Sequence, residues 1–143
     1  MSAYLKTVLV VDDKEWIRIA ISLVLEEFGY SVRCAEDGHS ALREIHLQNP
    51  DILVSDLTIP GMSGFELLIN VRRLFPAIKV IAMSGSFSGN EVPSGVLADA
   101  YYPKGGSVST LLQAFRTLPR MKDRLVESTT TLESQVLLAY ERP

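Results

Sequence analysis

The sequence is poor in the side chains that build disulfides and zinc sites. Its 143 residues include one cysteine, Cys34, and two histidines, His39 and His46. A single thiol excludes a disulfide within the chain, and so few sulfur and imidazole ligands argue against a zinc site. Cys34 lies within a short apolar run, so we expect it to be a small buried side chain.

Long apolar runs and a surplus of basic residues are also absent. No run reaches the ~18 apolar residues of a membrane span, and the first residues lack the basic start and apolar stretch of a secretory signal. We therefore expect a cytoplasmic protein with no membrane contact. Lys and Arg number 14 against 17 Asp and Glu. Because a general nucleic-acid binder normally carries a basic surplus, we expect no direct contact with DNA or RNA.

The chain length suits one domain of ordinary globular composition, with 47% hydrophobic and 22% charged residues. We place this domain at residues 1–118. Residues 119–143 are too few for a second independent domain and are interpreted as a partly ordered tail or a linker. The alternative is an amphipathic helix that packs on the domain or on a second copy. Its apolar stripe would comprise Met121, Leu125, Leu132 and Val136.

Five short apolar runs alternate with segments of helical period. The runs that we interpret as strands are 7–11, 31–35, 52–55, 78–83 and 100–102. Between them, apolar residues recur at spacings of three and four, which is typical of one helix face packed on a core. Alternating strands and helices predict a parallel sheet with right-handed crossovers and helices on both faces.

The fourth helical segment departs from this pattern. Residues 84–99 contain Gly85, Gly89, Pro93 and Gly95, which are unfavourable inside a helix. We therefore expect a short or irregular fourth helix, over about 94–98.

Acidic side chains follow the first and third predicted strands. Asp12 and Asp13 come directly after the first, and Asp56 after the third. In an open sheet of this class, ligands bind beyond the carboxyl ends of the strands, where the strand order reverses. If the two strands are neighbours, three carboxylates repel one another at one edge, and a divalent cation relieves that repulsion. Oxygen ligands of this kind suit Mg²⁺.

A hydroxyl and an ammonium follow the fourth and fifth predicted strands. Ser84 ends the fourth run and Lys104 follows the fifth. Lysine neutralises phosphoryl oxygens as a point charge, and serine donates one hydrogen bond. Each residue alone has an ordinary explanation as a turn, a cap or a surface charge. Their joint occurrence at strand ends favours a pocket for a tetrahedral anion.

Together these residues resemble the receiver domain of two-component response regulators, over about residues 6–118. The resemblance includes the phosphoacceptor loop, which runs from Asp56 through Pro60-Gly61 to Gly64. The remaining markers are the acidic pair Asp12-Asp13, the hydroxyl and small residue Ser84-Gly85, the lysine Lys104 and the switch aromatic Tyr101.

The resemblance implies a flavodoxin-like, doubly wound sheet of five parallel strands in the order 2-1-3-4-5. It also implies that Asp56 accepts a phosphoryl group from a histidine kinase or a phosphotransfer protein, in a reaction that needs Mg²⁺. The Mg²⁺ ligands would be Asp12, Asp13, Asp56 and the backbone carbonyl of Thr58. Ser84 and Lys104 would bind the phosphoryl oxygens.

The resemblance further implies a conformational switch. Ser84 would move towards the phosphoryl group, and Tyr101 would rotate into the space that it vacates. The surface of the fourth helix, fifth strand and fifth helix would change, and that surface or the tail is a candidate homodimer contact. Such a domain is a phosphorylated carrier and is not expected to be an enzyme.

Three features depart from the usual pattern of this family. Gly105 follows Lys104 where proline is usual, the fourth helical segment is rich in glycine and proline, and serine replaces the commoner threonine at position 84. These departures leave a binding-only pseudo-receiver as the alternative function. A hydrolase of the haloacid dehalogenase type is disfavoured, because the residue two positions after Asp56 is Thr58 and not an acid.

Overall fold

Strands and helices alternate along the chain as the hydrophobic pattern predicts. The structure, a computed structural model, describes residues 6–85 and 97–118. The strands are β1 (Thr7–Val11), β2 (Ser31–Ala35), β3 (Ile52–Asp56), β4 (Lys79–Ser84) and β5 (Ala100–Pro103). The helices are α1 (Glu15–Glu27), α2 (Gly38–Leu47), α3 (Gly64–Leu74) and α4 (Val108–Arg116).

All five strands pair in parallel, in the order β2-β1-β3-β4-β5. The fold class and strand order expected from the sequence are therefore confirmed. The order in which successive strands join the sheet reverses between β1 and β3. Strand β2 lies on one side of β1, and β3, β4 and β5 extend on the other side. Every residue of β3 and β4 is buried, which explains why these strands read as almost continuous apolar runs.

Each face of the sheet packs against two of the helices in the described part of the chain. On one face, α2 and α3 cover a cluster that includes Leu9, Leu53 and Val80. On the other face, α1 and α4 cover a cluster that includes Val10 and Ile81. Alternate residues of one strand point to opposite faces, so the central strands supply apolar side chains to both cores.

Local signals fix where three of the helices begin. Asp37, Ser63 and Ser107 cap α2, α3 and α4, and each side chain accepts a hydrogen bond from the backbone N–H three residues later. These contacts satisfy amide groups that the first helical turn leaves without a partner.

The expectation that Cys34 is buried is wrong. The thiol is exposed, and its Sγ lies 3.3 Å from the Oγ of Ser22 on α1. The physical reason is the position of β2 at the edge of the sheet, where its burial is much lower than that of β3.

The short fourth helix predicted over 94–98 lies largely outside the described residues. Leu97 and Ala98, which are described, are not helical and lead into β5. Helix α4 of the structure is therefore the fifth helix of the sequence prediction. Residues 119–143 also lie outside the described part of the chain. None of the described helices is long and apolar enough to cross a membrane.

Candidate functional site

The parallel register of β1 and β3 brings the acidic side chains together. Val11 pairs with Ser55, so the next residues, Asp12 and Asp56, leave the two strands side by side. One carboxylate oxygen from each of Asp12, Asp13 and Asp56 lies within 4.8 Å of the others. Asp12 and Asp56 are buried, whereas Asp13 is exposed. The carboxylate cluster expected from the sequence is therefore present at the carboxyl edge of the sheet.

Lys104 reaches this cluster from the end of the edge strand β5. Its Nζ lies 2.8 Å from Oδ2 of Asp56 and 2.9 Å from Oδ2 of Asp12. Burial alone would lower the pKa of the Lys104 ammonium, but its close contacts with the Asp56 and Asp12 carboxylates and their negative charges outweigh that effect and raise the pKa. The ammonium therefore stays charged and offsets part of the repulsion within the cluster.

Backbone amides orient the two buried carboxylates. The N–H of Lys14 donates to Oδ1 of Asp12 at 2.8 Å, and the N–H of Thr58 donates to Oδ1 of Asp56 at 3.0 Å. Each Oδ1 is thus held by the loop that follows its own strand. Each Oδ2 is directed towards Lys104, so the two Oδ2 atoms face a common centre.

This oxygen set suits a divalent cation. Oδ2 of Asp12 is buried and accepts no well-aligned hydrogen bond, and its contact in the described residues is the ion pair with Lys104. Asp13 adds an exposed carboxylate beside it. A cation bound here would therefore be in contact with solvent and could keep some of its water ligands. The donors are all hard oxygens, which is the chemistry that Mg²⁺ prefers. Thr58 is exposed on the loop directly after Asp56, next to the cluster.

Ser84 and Tyr101 are linked directly. Ser84 is buried at the end of β4, and its carbonyl oxygen accepts hydrogen bonds from the Oη of Tyr101 and the backbone N–H of Lys104, both at 3.0 Å. The ring of Tyr101 is buried, and that burial raises the pKa of its phenol. The structure therefore has the candidate switch aromatic in an inward position, joined to the backbone of the candidate phosphate-binding serine.

An open cleft adjoins the carboxylates, between α1 and the loop after β5. Its volume is about 660 Å³, and Asp13, Asp56 and Lys104 are among the residues that line it. Trp16 lines this cleft and is 69% exposed. Gly105, which replaces the usual proline, has a left-handed φ of 83° and also lines the cleft.

Two contacts at this site were missed by sequence reasoning. The guanidinium of Arg18 donates to the carbonyl oxygen of Asp12 at 2.8 Å, which ties α1 to the acidic loop. The Oη of Tyr102 donates to the carbonyl oxygen of Gly106 at 2.7 Å, which fixes the loop after Lys104. Arg18 lies one turn into α1, and its position there was the only sequence signal for the first contact.

Comparison with known proteins agrees with this geometry. The profile of the family described as "Response regulator receiver domain" matches residues 8–115. The chain is 32% identical over 116 residues to the probable transcriptional regulatory protein TcrX of Mycobacterium tuberculosis, covering 80% of this chain and 50% of that protein. It is 34% identical over 115 residues to the response regulator MprA of Mycobacterium avium, with 79% and 50% coverage. The chain thus spans about half the length of these relatives.

Solved structures give the same result. The chemotaxis response regulator CheY4 of Vibrio cholerae superposes with a TM-score of 0.71 at 29% identity, covering 80% of this chain and all of that one. A CheY-like receiver domain protein from Methanospirillum hungatei has a TM-score of 0.73 at 27% identity, with coverage of 87% and 99%. The acidic edge, the strand order and these similarities lead to one conclusion: the chain belongs to the response regulator receiver domain family of two-component systems.

Proposed function

We propose that Asp56 is the phosphoacceptor of this receiver domain. The observation that carries the proposal is the position of Lys104 Nζ, 2.8 Å from the Oδ2 of Asp56 within a cluster of three carboxylates. Asp56 lines the open cleft, whereas Asp12 has no exposed surface. Of the two buried carboxylates, Asp56 is therefore the one that a phosphodonor can approach.

The reaction is a transfer of the phosphoryl group from a phosphohistidine of a histidine kinase or phosphotransfer protein. An oxygen of Asp56 forms a bond to phosphorus as the phosphorus–nitrogen bond to the donor breaks, and the imidazole leaves with the electron pair. Oδ1 of Asp56 is held by the N–H of Thr58, so the attacking carboxylate keeps a fixed orientation. Mg²⁺, held by Asp12, Asp13, Asp56 and the Thr58 carbonyl, would supply positive charge that offsets repulsion between acceptor and donor.

Lys104 and Ser84 then bind the aspartyl phosphate. The Lys104 ammonium already lies at the Asp56 oxygen, so it can contact a phosphoryl oxygen by a small movement. Ser84 enters the same region from β4, next to Asp56 on β3. Both groups interact more strongly with the phosphorylated state than with the free carboxylate. That difference favours the conformation in which they contact the phosphoryl group.

The proposed switch passes from Ser84 to Tyr101. Because the Oη of Tyr101 donates to the Ser84 carbonyl, a shift of Ser84 changes a contact of a buried ring on β5. The surface formed by β5 and α4 would report that change to a partner or a second copy. The domain acts as a phosphorylated carrier and not as an enzyme. Regulation of transcription, which the name of TcrX states, would require residues outside the matched region.

Intact-mass spectrometry tests the proposal. After incubation with acetyl phosphate and Mg²⁺, the wild-type chain should gain the mass of one phosphoryl group, and Asp56→Asn should not. Glu36→Gln changes an exposed acid outside the cluster and should gain mass like wild type. Absence of mass gain in wild type, or equal gain in Asp56→Asn, would overturn the proposal and favour a domain that only binds partners.

A further inference from the structure

The cleft beside Asp56 is larger than a phosphoryl group requires. Its volume of about 660 Å³ is typical of a site for an entire small molecule. Asp56 and Lys104 line it together with four residues of α1. A phosphodonor that binds at Asp56 would therefore place its remaining part within the same cleft.

The wall that α1 contributes is apolar. Trp16, Ile17, Ala20 and Ile21 line the cleft on this side. Ile17 and Ile21 are buried and belong to the core between α1 and α4, so this part of the wall is fixed. Trp16 is largely exposed, and its indole is available for contact with a flat apolar group.

The loop after β5, which also lines the cleft, contains two glycines. A side chain at Gly106 would lie 2.9 Å from the carbonyl oxygen of Pro103 and 3.1 Å from the ring of Tyr102, so the position has no room for one. Gly105 has a φ of 83° and open space around it. The Tyr102 hydroxyl bonds to Gly106 and holds this loop in place. Glycine at position 105 therefore leaves open the space that its own side chain would occupy, whereas glycine at position 106 is required by the close packing of the loop.

We propose that this cleft accepts small-molecule acyl phosphates with an aromatic or bulky apolar acyl group, with the phosphoryl end at Asp56 and Lys104 and the acyl group against Trp16. The proposal rests on Asp56 being the phosphoacceptor. Lys104 beside Asp56 suits the phosphoryl group of such a molecule, and the apolar wall of α1 suits its acyl group. A protein donor is the alternative occupant, and it is favoured if changes to the apolar wall leave the preference between small donors unaltered.

The transfer balances without a further reactant. An oxygen of Asp56 bonds to phosphorus, and the bond between phosphorus and the bridging oxygen of the acyl phosphate breaks. The electron pair leaves with the acyl group as its carboxylate. The products are the aspartyl phosphate and a free carboxylate, with no proton gained or lost.

The test compares two donors, benzoyl phosphate and acetyl phosphate, by the initial rate at which each adds a phosphoryl group to the full chain. The quantity measured is the ratio of the benzoyl rate to the acetyl rate, so differences in protein quality cancel. Trp16→Ala should lower this ratio about threefold to tenfold, which corresponds to the loss of one aromatic contact. Ile19→Ala is the matched control, because Ile19 is an exposed apolar residue of α1 that does not line the cleft.

A second variant narrows the cleft without removing the indole. Ala20→Gln places a larger polar side chain on the apolar wall and should lower the same ratio, whereas Ile19→Gln should not. If both donors phosphorylate Asp56 and neither cleft variant changes the ratio, the acyl-group site is wrong while the phosphoacceptor function stands. If neither donor modifies the wild-type chain, the phosphoacceptor function itself fails.

Discussion

Lys104 reaches across the end of β4 to place its Nζ 2.8 Å from the Oδ2 of Asp56 on β3. The same ammonium lies 2.9 Å from Oδ2 of Asp12 on β1. One cation from the edge strand therefore compensates two buried carboxylates from the middle of the sheet. This arrangement links the stability of the domain to the charge at its functional site.

Removal of this ammonium should make folding depend on a divalent cation. In Lys104→Met, Asp12 and Asp56 lose their common positive partner, and we expect the free energy of unfolding to fall by about 3 kcal/mol in the presence of a chelator. Mg²⁺ should restore most of the loss, because it supplies charge to the same oxygens. Urea unfolding with chelator and with Mg²⁺ measures both values.

Lys6→Met is the control for this prediction, since Lys6 is exposed and lies away from the cluster. It should change stability little and equally in both conditions. A loss in Lys104→Met that is the same with and without Mg²⁺ would contradict this coupling.

Trp16 should report cation binding by fluorescence. It is the only tryptophan of the chain, and it lines the cleft together with Asp13 and Asp56. Titration with Mg²⁺ should therefore change its emission to a saturating value. Asp13→Asn removes one charged ligand and should weaken the apparent affinity about tenfold or more.

Glu15→Gln provides the matched comparison, because Glu15 is an acid next to Trp16 in sequence but not a member of the carboxylate cluster. It should keep the wild-type affinity. Equal weakening in both variants would show that general negative charge, and not the cluster, governs the response.

Because the Tyr101 phenol is buried, its contribution to the free energy of unfolding should decrease at alkaline pH. Tyr101→Phe loses the hydrogen bond to the Ser84 carbonyl and should cost about 1 kcal/mol at neutral pH. Burial raises the pKa of Tyr101, so the folded state holds this proton more tightly than the unfolded state. Stability from this group is complete below the unfolded pKa of about 10 and is lost as the pH rises above it.

The difference in unfolding free energy between wild type and Tyr101→Phe should therefore shrink as the pH rises above 10. Urea unfolding over a pH series measures it. A difference that stays constant or grows with pH would show that the phenol does not titrate from a buried, protonated state.

The glycine that begins α3 should be required by the phosphoacceptor loop. A side chain at Gly64 would overlap the carbonyl oxygen of Asp56 and the backbone of Leu57. Gly64→Ala should therefore shift that backbone and lower the free energy of unfolding by about 2 kcal/mol. Gly85→Ala should leave stability nearly unchanged, because none of the described residues has an atom within 4 Å of the added carbon. Thermal unfolding of the two variants gives the comparison, and equal stability would contradict the overlap.

Much of the fold and the cluster could be predicted because both follow from periodicity and strand order. The apolar runs of β3 and β4 indicate strands covered on both faces, and the residues that follow parallel strands must meet at one edge. That rule placed Asp12 and Asp56 at this edge, and the strand order implied by the resemblance to receiver domains made their two strands neighbours. Cys34 was misjudged because an apolar neighbourhood in sequence does not show that β2 is an edge strand.

Contacts that depend on side-chain reach could not be predicted in this way. The bond from Arg18 to the Asp12 carbonyl joins a helix to a loop, and no pattern of hydrophobic residues encodes it. The inward ring of Tyr101 depends on how the two cores close around β5. The resemblance to receiver domains identified Tyr101, but its bond to the Ser84 carbonyl required the structure.

Locating the phosphoryl group in the chain is the most direct test of the claim that Asp56 is the phosphoacceptor. Reduction of the phosphorylated chain with borohydride converts an aspartyl phosphate to homoserine, and peptide mass spectrometry then locates the change. The account predicts homoserine at position 56, with Asp12 and Asp13 unchanged. Modification at Asp12 or Asp13 instead, or at a residue outside the cluster, would contradict it.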